Sequence, residues 1–207
     1  MLHVSGIPPV NPACRCDIHR DVVVCGRSAE SVLKEIEKFH GFPAPGVVIG
    51  AFMVDWAQEQ VGSGIEYDAI VETCRCLPDA VQLFTPCTFG NGWMRVIDWD
   101  RFALTLYDRN TCEGVRVRLD VDKTVHFPDI HNWFMKRVPK EALPLDILLE
   151  SVIKARRTVL TAQRGVVTDC FRRPKKGSVG VCGKCGEAFD PIVGDSCRAC
   201  QDVGYFK

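Results

Sequence analysis

The feature that most constrains the fold is a pair of CxxC motifs near the C-terminus, Cys182 with Cys185 and Cys197 with Cys200. The segment 179–207 that carries them is too short to build a hydrophobic core unaided. Two residues between cysteines let both sulfurs reach one tetrahedral ion, and four thiolates close its coordination sphere. We therefore predict one structural zinc ion per chain, in a zinc ribbon or treble-clef module whose folding the ion drives.

The same cysteines leave two other chemistries open. An iron–sulfur cluster also uses four thiolates, and a dithiol redox pair needs only one CxxC motif. Because two CxxC motifs are present, eleven residues apart, the pattern favours zinc.

Overall composition limits the class of protein. The N-terminus lacks the basic start and apolar stretch of a secretory signal, so we expect a soluble, cytoplasmic protein in which disulfides rarely persist. The longest apolar run, Gly46–Val54, is about half of what a membrane-spanning helix needs, and we expect no membrane partner. With 26 basic and 26 acidic side chains, a surface that coats nucleic acid is not expected.

Capping residues predict two helices in the first third of the chain. The first runs over Ala29–His40, between an N-cap at Ser28 and a left-handed C-cap at Gly41. The second runs over Pro45–Val61 and ends at Gly62. Its first half is apolar all round, which predicts burial on every side.

After these helices the periodicity changes to that of strands. Four strands are predicted, over Asp68–Thr73, Trp93–Trp99, Phe102–Tyr107 and Val115–Val121. The last alternates between apolar and charged residues, so one face of the sheet is exposed. A long helix is predicted over Leu145–Gln163, with an exposed pair of Glu150 and Lys154. Together these elements predict an α+β fold, a two-layer α/β sandwich.

The domain boundary is predicted at a basic stretch, Arg172–Lys176, which carries four like charges around a proline. We expect a core domain over 1–170, an exposed linker over 171–178 and the zinc module over 179–207. The core domain includes an N-terminal segment with Cys14, Cys16 and His19.

Three stretches of the core resemble a known family. FHGFPAPGVVIGAFM (39–53), IVETCRCLPDAVQLFTPCTFGNG (70–92) and GVRVRLD (114–120) resemble the FmdE family, which belongs to tungsten or molybdenum formylmethanofuran dehydrogenase and has bacterial homologues. In that family the motifs look like FHGHxCPG, a cysteine followed by DAIQ, and GCTxGKG. The matching positions are His40, Gly41, Pro45, Gly46, Cys76, Asp79, Ala80, Gln82, Cys87, Thr88, Gly90 and Gly92.

The resemblance implies a role rather than a reaction. It implies a protein auxiliary to a molybdenum- or tungsten-pterin oxidoreductase of one-carbon metabolism, in assembly, cofactor handling or support of electron transfer. It also implies an oxidoreductase partner and a homodimer. The exposed face of the Val115–Val121 strand and the long helix are the candidate contact surfaces.

Three positions depart from the family pattern. Phe42 stands where the family has its second histidine, Ala44 where it has cysteine, and Asn91 where it has lysine. A family site that used the histidine and the cysteine is therefore incomplete in this chain.

A candidate catalytic site remains in the core, formed by His40, Cys76 and Cys87. The extra N-terminal residues Cys14, Cys16 and His19 are candidates to complete a second metal site with these three. In the alternative reading, the core cysteines are buried packing residues.

Two other functions are also open. The glycine-rich turn 85–92 predicts backbone N–H groups near a Cys87 thiolate, which would lower its pKa. Cys87 would then be the nucleophile of a small-molecule enzyme, with His40 as base. A zinc-ribbon regulator would instead bind nucleic acid through Arg172–Lys176. Acidic residues balance the basic ones in the zinc module, which favours a partner-binding or dimer-stabilising ribbon over a nucleic-acid reader.

Overall fold

The computed structural model describes residues 21–168 and 177–201. The chain divides into two compact units, Met1–Thr168 and Asp169–Lys207. The N-terminal Cys14, Cys16 and His19 and the basic stretch Arg172–Lys176 lie outside the described residues.

The first unit begins with a short antiparallel hairpin, β1 (Val23–Val24) and β2 (Arg27–Ser28), followed by α1 (Ala29–His40). The hydroxyl of Ser28 accepts a first-turn backbone N–H at 3.3 Å. Gly41 takes the left-handed conformation, with φ of +94°, and ends the helix. The predicted bounds and caps of α1 are confirmed.

The second helix, α2 (Pro45–Val61), runs through the middle of the unit. Every residue from Pro45 to Val54 is buried, as the apolar sequence predicts, and Gly62 ends the helix with φ of +103°. Because the first half of α2 is buried on all sides, it is the centre around which the other elements pack.

Two glycines let α2 approach α3 (Leu77–Phe84) closely. A Cβ added at Gly50 would lie 2.6 Å from the Cβ of Ala80. A Cβ added at Gly46 would lie 2.8 Å from the Sγ of Cys76. Because both distances are far inside van der Waals contact, only glycine fits at these two positions.

The sheet of this unit has five strands in the order β4-β3-β5-β6-β7. The strands are β3 (Tyr67–Val71), β4 (Met94–Val96), β5 (Ala103–Asp108), β6 (Glu113–Leu119) and β7 (Leu160–Val166). β4 lies parallel to β3, whereas the other neighbours are antiparallel.

The helices cover one face of this sheet. Leu104 and Leu106 of β5, with Val115 and Val117 of β6, join α2 in the hydrophobic core. Arg116, which alternates with them, is only partly buried. The predicted two-layer α+β architecture is confirmed.

Arginine–carboxylate pairs lie on the opposite face of the sheet. Arg116 donates two hydrogen bonds to Glu72, at 2.6 and 2.7 Å, and Arg109 contacts Asp68 at 2.9 Å. The carboxylate side chains are only 5% and 9% exposed. Bidentate charge-assisted bonds of this kind satisfy a carboxylate that has lost most of its water.

The connection between β6 and β7 is helical. It contains α4 (Val121–Thr124), α5 (Pro128–Phe134), a 3₁₀ turn (Lys140–Ala142) and α6 (Leu145–Ala155). The exposed pair predicted on α6 is present, with Lys154 Nζ 2.6 Å from Glu150.

The prediction that this last helix continues to Gln163 is wrong. Arg156 takes a positive φ of +50°, and the hydroxyl of Thr158 donates to the Ala155 carbonyl at 2.6 Å. The chain then turns back as β7 and pairs with β6 along its whole length. Val159 and Leu160 are buried, as the predicted helical stripe would also require. The β-branched residues Thr158, Val159 and Thr161 nevertheless favour a strand, because β6 is available as a pairing partner.

The second unit is small. It contains a hairpin of β8 (Gly180–Val181) and β9 (Ala188–Phe189), a 3₁₀ turn (Pro191–Val193) and a short helix, α7 (Arg198–Gln201). Within residues 21–168 and 177–201, no helix combines the length and apolar character that crossing a membrane demands.

The contact between α2 and α3 generates the first prediction. Gly50→Ala adds a methyl group where the Ala80 Cβ already lies, so α3 must shift. We expect the free energy of unfolding to fall by about 1–2 kcal/mol, because overpacking outweighs the gain in helix propensity. Urea denaturation measures this change.

Gly165→Ala on β7 is the matched control. A Cβ at Gly165 meets no atom within 4 Å, so its effect should stay within about 0.5 kcal/mol. A Gly50→Ala protein as stable as the wild type would contradict the packing account.

Candidate functional site

The four C-terminal cysteines converge on one point. Cys182 and Cys185 lie at the turn of the β8–β9 hairpin, and Cys197 and Cys200 lie at the start of α7. Their four Sγ atoms all lie within 4.8 Å of one another. The Sγ atoms of Cys185 and Cys197 are 3.8 Å apart. A tetrahedral zinc ion with bonds of about 2.3 Å sets its sulfur ligands about 3.8 Å apart, so the cysteines fit zinc.

A backbone hydrogen bond favours the thiolate form of one of these cysteines, which is the form that binds a cation. The N–H of Cys197 donates to the Cys182 Sγ at 3.3 Å and lowers the pKa of that thiol to about 6. Hydrogen bonds with the Cys197 and Cys185 thiols raise the pKa of Cys200 to about 12, and the charge of a Cys182 thiolate repels a second thiolate there. A divalent cation relieves that repulsion. Four protein ligands leave no open position, so the site is structural.

In the core, His40 is paired with an aspartate. Its Nδ1–H donates to the Oδ2 of Asp79 at 2.6 Å, which brings the end of α1 to the first turn of α3. The ring of Phe42, at the family's second histidine position, lies 5.2 Å from the ring of His40. Since the carboxylate only accepts, the bond assigns the proton to Nδ1 and leaves Nε2 as the remaining polar atom of the ring.

Cys76 lies beside this pair in an unusual backbone conformation. Its φ of +57° and ψ of −51° form a tight turn, closed by the Leu77 N–H and the Arg75 carbonyl at 2.5 Å. Its half-buried side chain packs against Gly46. Burial and then the Asp79 carboxylate raise the pKa of the Cys76 thiol, while Arg75 lowers it. The thiol is therefore protonated at neutral pH.

The third candidate residue, Cys87, lies elsewhere. It follows the C-terminal end of α3, about 12 Å along the helix from its start. It is fully buried, and its Sγ donates to the carbonyl of Tyr67 at 3.3 Å. The structure therefore does not bring Cys87 together with His40 and Cys76.

The glycine-rich turn does not surround Cys87 with free N–H groups, as the sequence predicts. The Oδ1 of Asn91 accepts hydrogen bonds from the N–H groups of Thr88 and Trp93, at 3.1 and 2.9 Å. Its Nδ2 donates to the Pro86 carbonyl at 2.8 Å. The N–H of Cys87 itself donates to the Thr85 hydroxyl. Asn91, which stands where the family has lysine, therefore stabilises the turn through these three hydrogen bonds.

Within the described part of the chain, the C-terminal cysteines are the one group of three or more metal-binding side chains with converging ligand atoms. His40, Cys76 and Cys87 form no such group. Cys14, Cys16 and His19, the other proposed ligands, lie outside the described residues. A second metal ion in the core stays a prediction.

Asp79 matches a family motif in the sequence, but its contact with His40 was not predicted. The two residues are 39 positions apart. The available sequence signal was their placement: His40 ends one predicted helix, and Asp79 lies in the thiol-rich loop 73–79, TCRCLPD.

The surroundings of Cys76 predict a pH-dependent reactivity. Because its pKa is raised, alkylation by iodoacetamide should be slow at pH 7 and should accelerate as the pH rises above 9. Asp79→Asn removes a carboxylate that raises this pKa, and should speed the labelling of Cys76 at pH 8 by up to about tenfold, the effect of one pKa unit. Peptide mapping by mass spectrometry measures each cysteine separately.

Asp98→Asn is the matched control, since the Asp98 carboxylate raises the pKa of the exposed Cys74. It should speed labelling of Cys74 and leave Cys76 unchanged. Rapid labelling of wild-type Cys76 at pH 7 would contradict the account.

The fold and both clusters can be compared with known proteins. The chain is similar to a protein of solved structure from Syntrophus aciditrophicus, which is named as an FmdE-like protein of tungsten formylmethanofuran dehydrogenase. The TM-score is 0.83 and the sequence identity is 42%. The similarity covers 89% of this chain and 98% of that one.

A curated relative is named as a probable S-adenosyl-L-methionine-binding protein of Archaeoglobus fulgidus. It is 35% identical over 99 residues, which are 44% of this chain and 27% of the relative. The chain therefore spans about a quarter of the length of that protein.

Two family models match the chain. The model described as FmdE, molybdenum formylmethanofuran dehydrogenase operon, matches residues 39–169. The model of the FmdE treble clef zinc finger matches residues 173–207, which selects the treble clef over the zinc ribbon. Because the first model covers more than half of the sequence, the chain belongs to the FmdE family and carries the family's treble-clef zinc finger at its C-terminus.

Proposed function

We propose that this protein is an accessory component of a molybdenum- or tungsten-pterin oxidoreductase of one-carbon metabolism. It would assist assembly, cofactor handling or electron transfer and would catalyse no redox step itself. The description of its family and the name of the Syntrophus relative support the link to such an enzyme. We propose a cytoplasmic location, which is consistent with this role.

The observation that carries the proposal is the separation of Cys87 from the other two candidate catalytic residues, His40 and Cys76. Cys87 is buried at one end of α3 and bonded to a carbonyl, whereas Cys76 lies at the other end. His40 is engaged with Asp79. An enzyme that used a thiol and a base would need both within hydrogen-bond reach of one substrate atom. An accessory protein has no such requirement.

The zinc finger supports the same role. A closed four-cysteine site supplies folding energy but no open position for chemistry. We propose that it holds the one zinc ion of the chain and presents a surface to a partner. Between Gly177 and Gln201, the basic Lys184 and Arg198 are outnumbered by Glu187, Asp190 and Asp195, so nucleic acid is a poor match. The alternative through Arg172–Lys176 concerns residues outside the described part.

A second candidate function is thiol chemistry, and the geometry moves it from Cys87 to Cys76. Cys76 is only half-buried, adjoins the His40–Asp79 pair through Asp79, and has a strained backbone. Such strain is concentrated at functional sites. The raised pKa of this thiol weighs against a free nucleophile, so the accessory role remains the conclusion.

We also propose a homodimer. The contact surfaces would be the sheet face that bears Arg116 and the exposed side of α6.

The accessory role is tested by purifying the affinity-tagged full-length chain from its native host. We expect molybdenum or tungsten in the eluate, measured by elemental analysis, in amounts comparable to the chain, together with a pterin released by acid. An eluate that contains zinc but neither of these metals would contradict the proposal.

A further inference from the structure

The two edges of the core sheet differ in length. At one edge, β4 has three residues, whereas β7 at the other edge has seven. Residues 163–166 of β7 are exposed to solvent. Within residues 21–168 and 177–201, β6 is the one strand that pairs with β7. A long strand with an unpaired edge is a template on which a further strand can add.

The pairing of β7 with β6 shows which backbone groups face this open edge. The Val167 N–H donates to the Cys112 carbonyl at 2.8 Å. At the other end of the ladder, the Asp120 N–H donates to the Val159 carbonyl at 2.9 Å. Because bonded residues alternate in an antiparallel ladder, the odd-numbered residues of β7 bond with β6. The N–H and C=O groups of the even-numbered residues therefore point to the open edge.

The first of these even-numbered residues already uses its outward groups. The Leu160 N–H donates to the Arg157 carbonyl at 3.0 Å, and its carbonyl accepts a hydrogen bond from Lys123 Nζ at 2.7 Å. In the described part of the chain, no such bond is made by the outward groups of the next three. These are Ala162, Arg164 and Val166.

β7 lacks the features that commonly protect an open edge from pairing. Such features include a proline, a bulge and a charge on the edge. The segment 160–166 contains no proline, and its register with β6 is continuous. Its one charged side chain, Arg164, is drawn towards α2. There the guanidinium donates to the Gln60 carbonyl at 2.9 Å and to the Gln60 Oε1 at 3.3 Å. The edge is therefore accessible to a strand.

We propose that a second copy of this chain pairs its own β7 with this edge in antiparallel orientation, an inference that rests on the homodimer proposed above. Identical strands pair about a two-fold axis, and the best register places that axis at Gln163. Ala162 then lies opposite Arg164 of the second copy, and their outward groups exchange both hydrogen bonds. The exposed side chain of Val166 lies opposite Leu160.

The neighbouring registers are less favourable. An axis at Arg164 would set two guanidinium groups opposite each other, and like charges in opposite positions destabilise a sheet. An axis at Ala162 would leave Gly165 and Val166 unpaired. An axis midway between two residues would match outward groups with groups that already bond to β6. The axis at Gln163 avoids all three faults and pairs the whole strand.

The open edge adjoins both surfaces proposed for the homodimer. Gln163 lies opposite Arg116 in β6, so the sheet face that bears Arg116 continues to the edge. α6 leads into β7 through residues 156–159, which places its C-terminal end near the same edge. Because a stable interface buries roughly 1,200 Å² or more, the contact extends from the paired strands onto these two surfaces.

Charges placed at the axis give a matched test. Gln163→Glu and Gln163→Lys each set two like charges beside the axis of the dimer. We expect each variant of the full-length chain to raise the dissociation constant of the dimer by about tenfold or more. Light scattering over a dilution series measures this change. An equimolar mixture of the two variants should recover a dimer with one copy of each, which native mass spectrometry detects.

The control for charge is Lys38→Gln on α1. Lys38 is exposed, and this substitution changes the net charge by the same amount as Gln163→Glu. It should dimerise as the wild type does. A weakening equal to that of Gln163→Glu would attribute the effect to net charge and overturn the proposed edge.

A further variant tests the backbone pairing. Ala162→Pro removes an outward N–H, and because this N–H does not face β6, the ladder between β6 and β7 is kept. Circular dichroism and zinc content should match the wild type, while the dimer should weaken. A folded Ala162→Pro protein that dimerises as tightly as the wild type would overturn the pairing of the two strands.

The outcomes separate this inference from the homodimer on which it rests. If the wild type dimerises and the Gln163 variants dimerise equally well, the β7 edge is wrong and the homodimer stands on another surface. A wild type that stays monomeric at every concentration would overturn both, and would leave the edge to a strand of another protein.

Discussion

The close packing of α2 against α3 is the contact on which the core depends. Gly46 and Gly50 present a side-chain-free face, and this face admits Ala80 and Cys76 at distances that no other residue tolerates. The first half of α2 is buried throughout, so the sheet and the other helices take their positions around it. The same contact fixes the position of the N-terminal end of α3, and so it positions the Cys76 thiol and the Asp79 carboxylate.

The two units divide the cysteine chemistry between them. In the C-terminal finger, four sulfurs converge at the spacing of a tetrahedral ion, and a backbone N–H favours one thiolate. In the core, burial and a carboxylate keep Cys76 protonated, and Cys87 donates to a carbonyl. A folding role for the metal follows from this contrast, and the accessory role that we propose is consistent with it.

The sequence predicted those features that depend on neighbouring residues. The caps of α1, the bounds of α2 and the four zinc ligands follow from local patterns and spacing, and the family motifs lie in the elements that form the core. The features that it missed depend on distant contacts. The His40–Asp79 hydrogen bond joins two helices that are distant in the sequence. β7 forms a strand because it pairs with β6. The Asn91 amide makes its hydrogen bonds only when the loop 85–93 has folded.

The most direct test of the account is the metal content of two double variants, measured by elemental analysis on full-length protein purified anaerobically. We assign the structural zinc ion to the finger, where four thiolates converge. Cys197→Ser with Cys200→Ser should therefore lose it, and Cys74→Ser with Cys76→Ser should keep it. A metal ion that remains in the first variant and disappears from the second would contradict the account. It would identify the core cysteines as ligands.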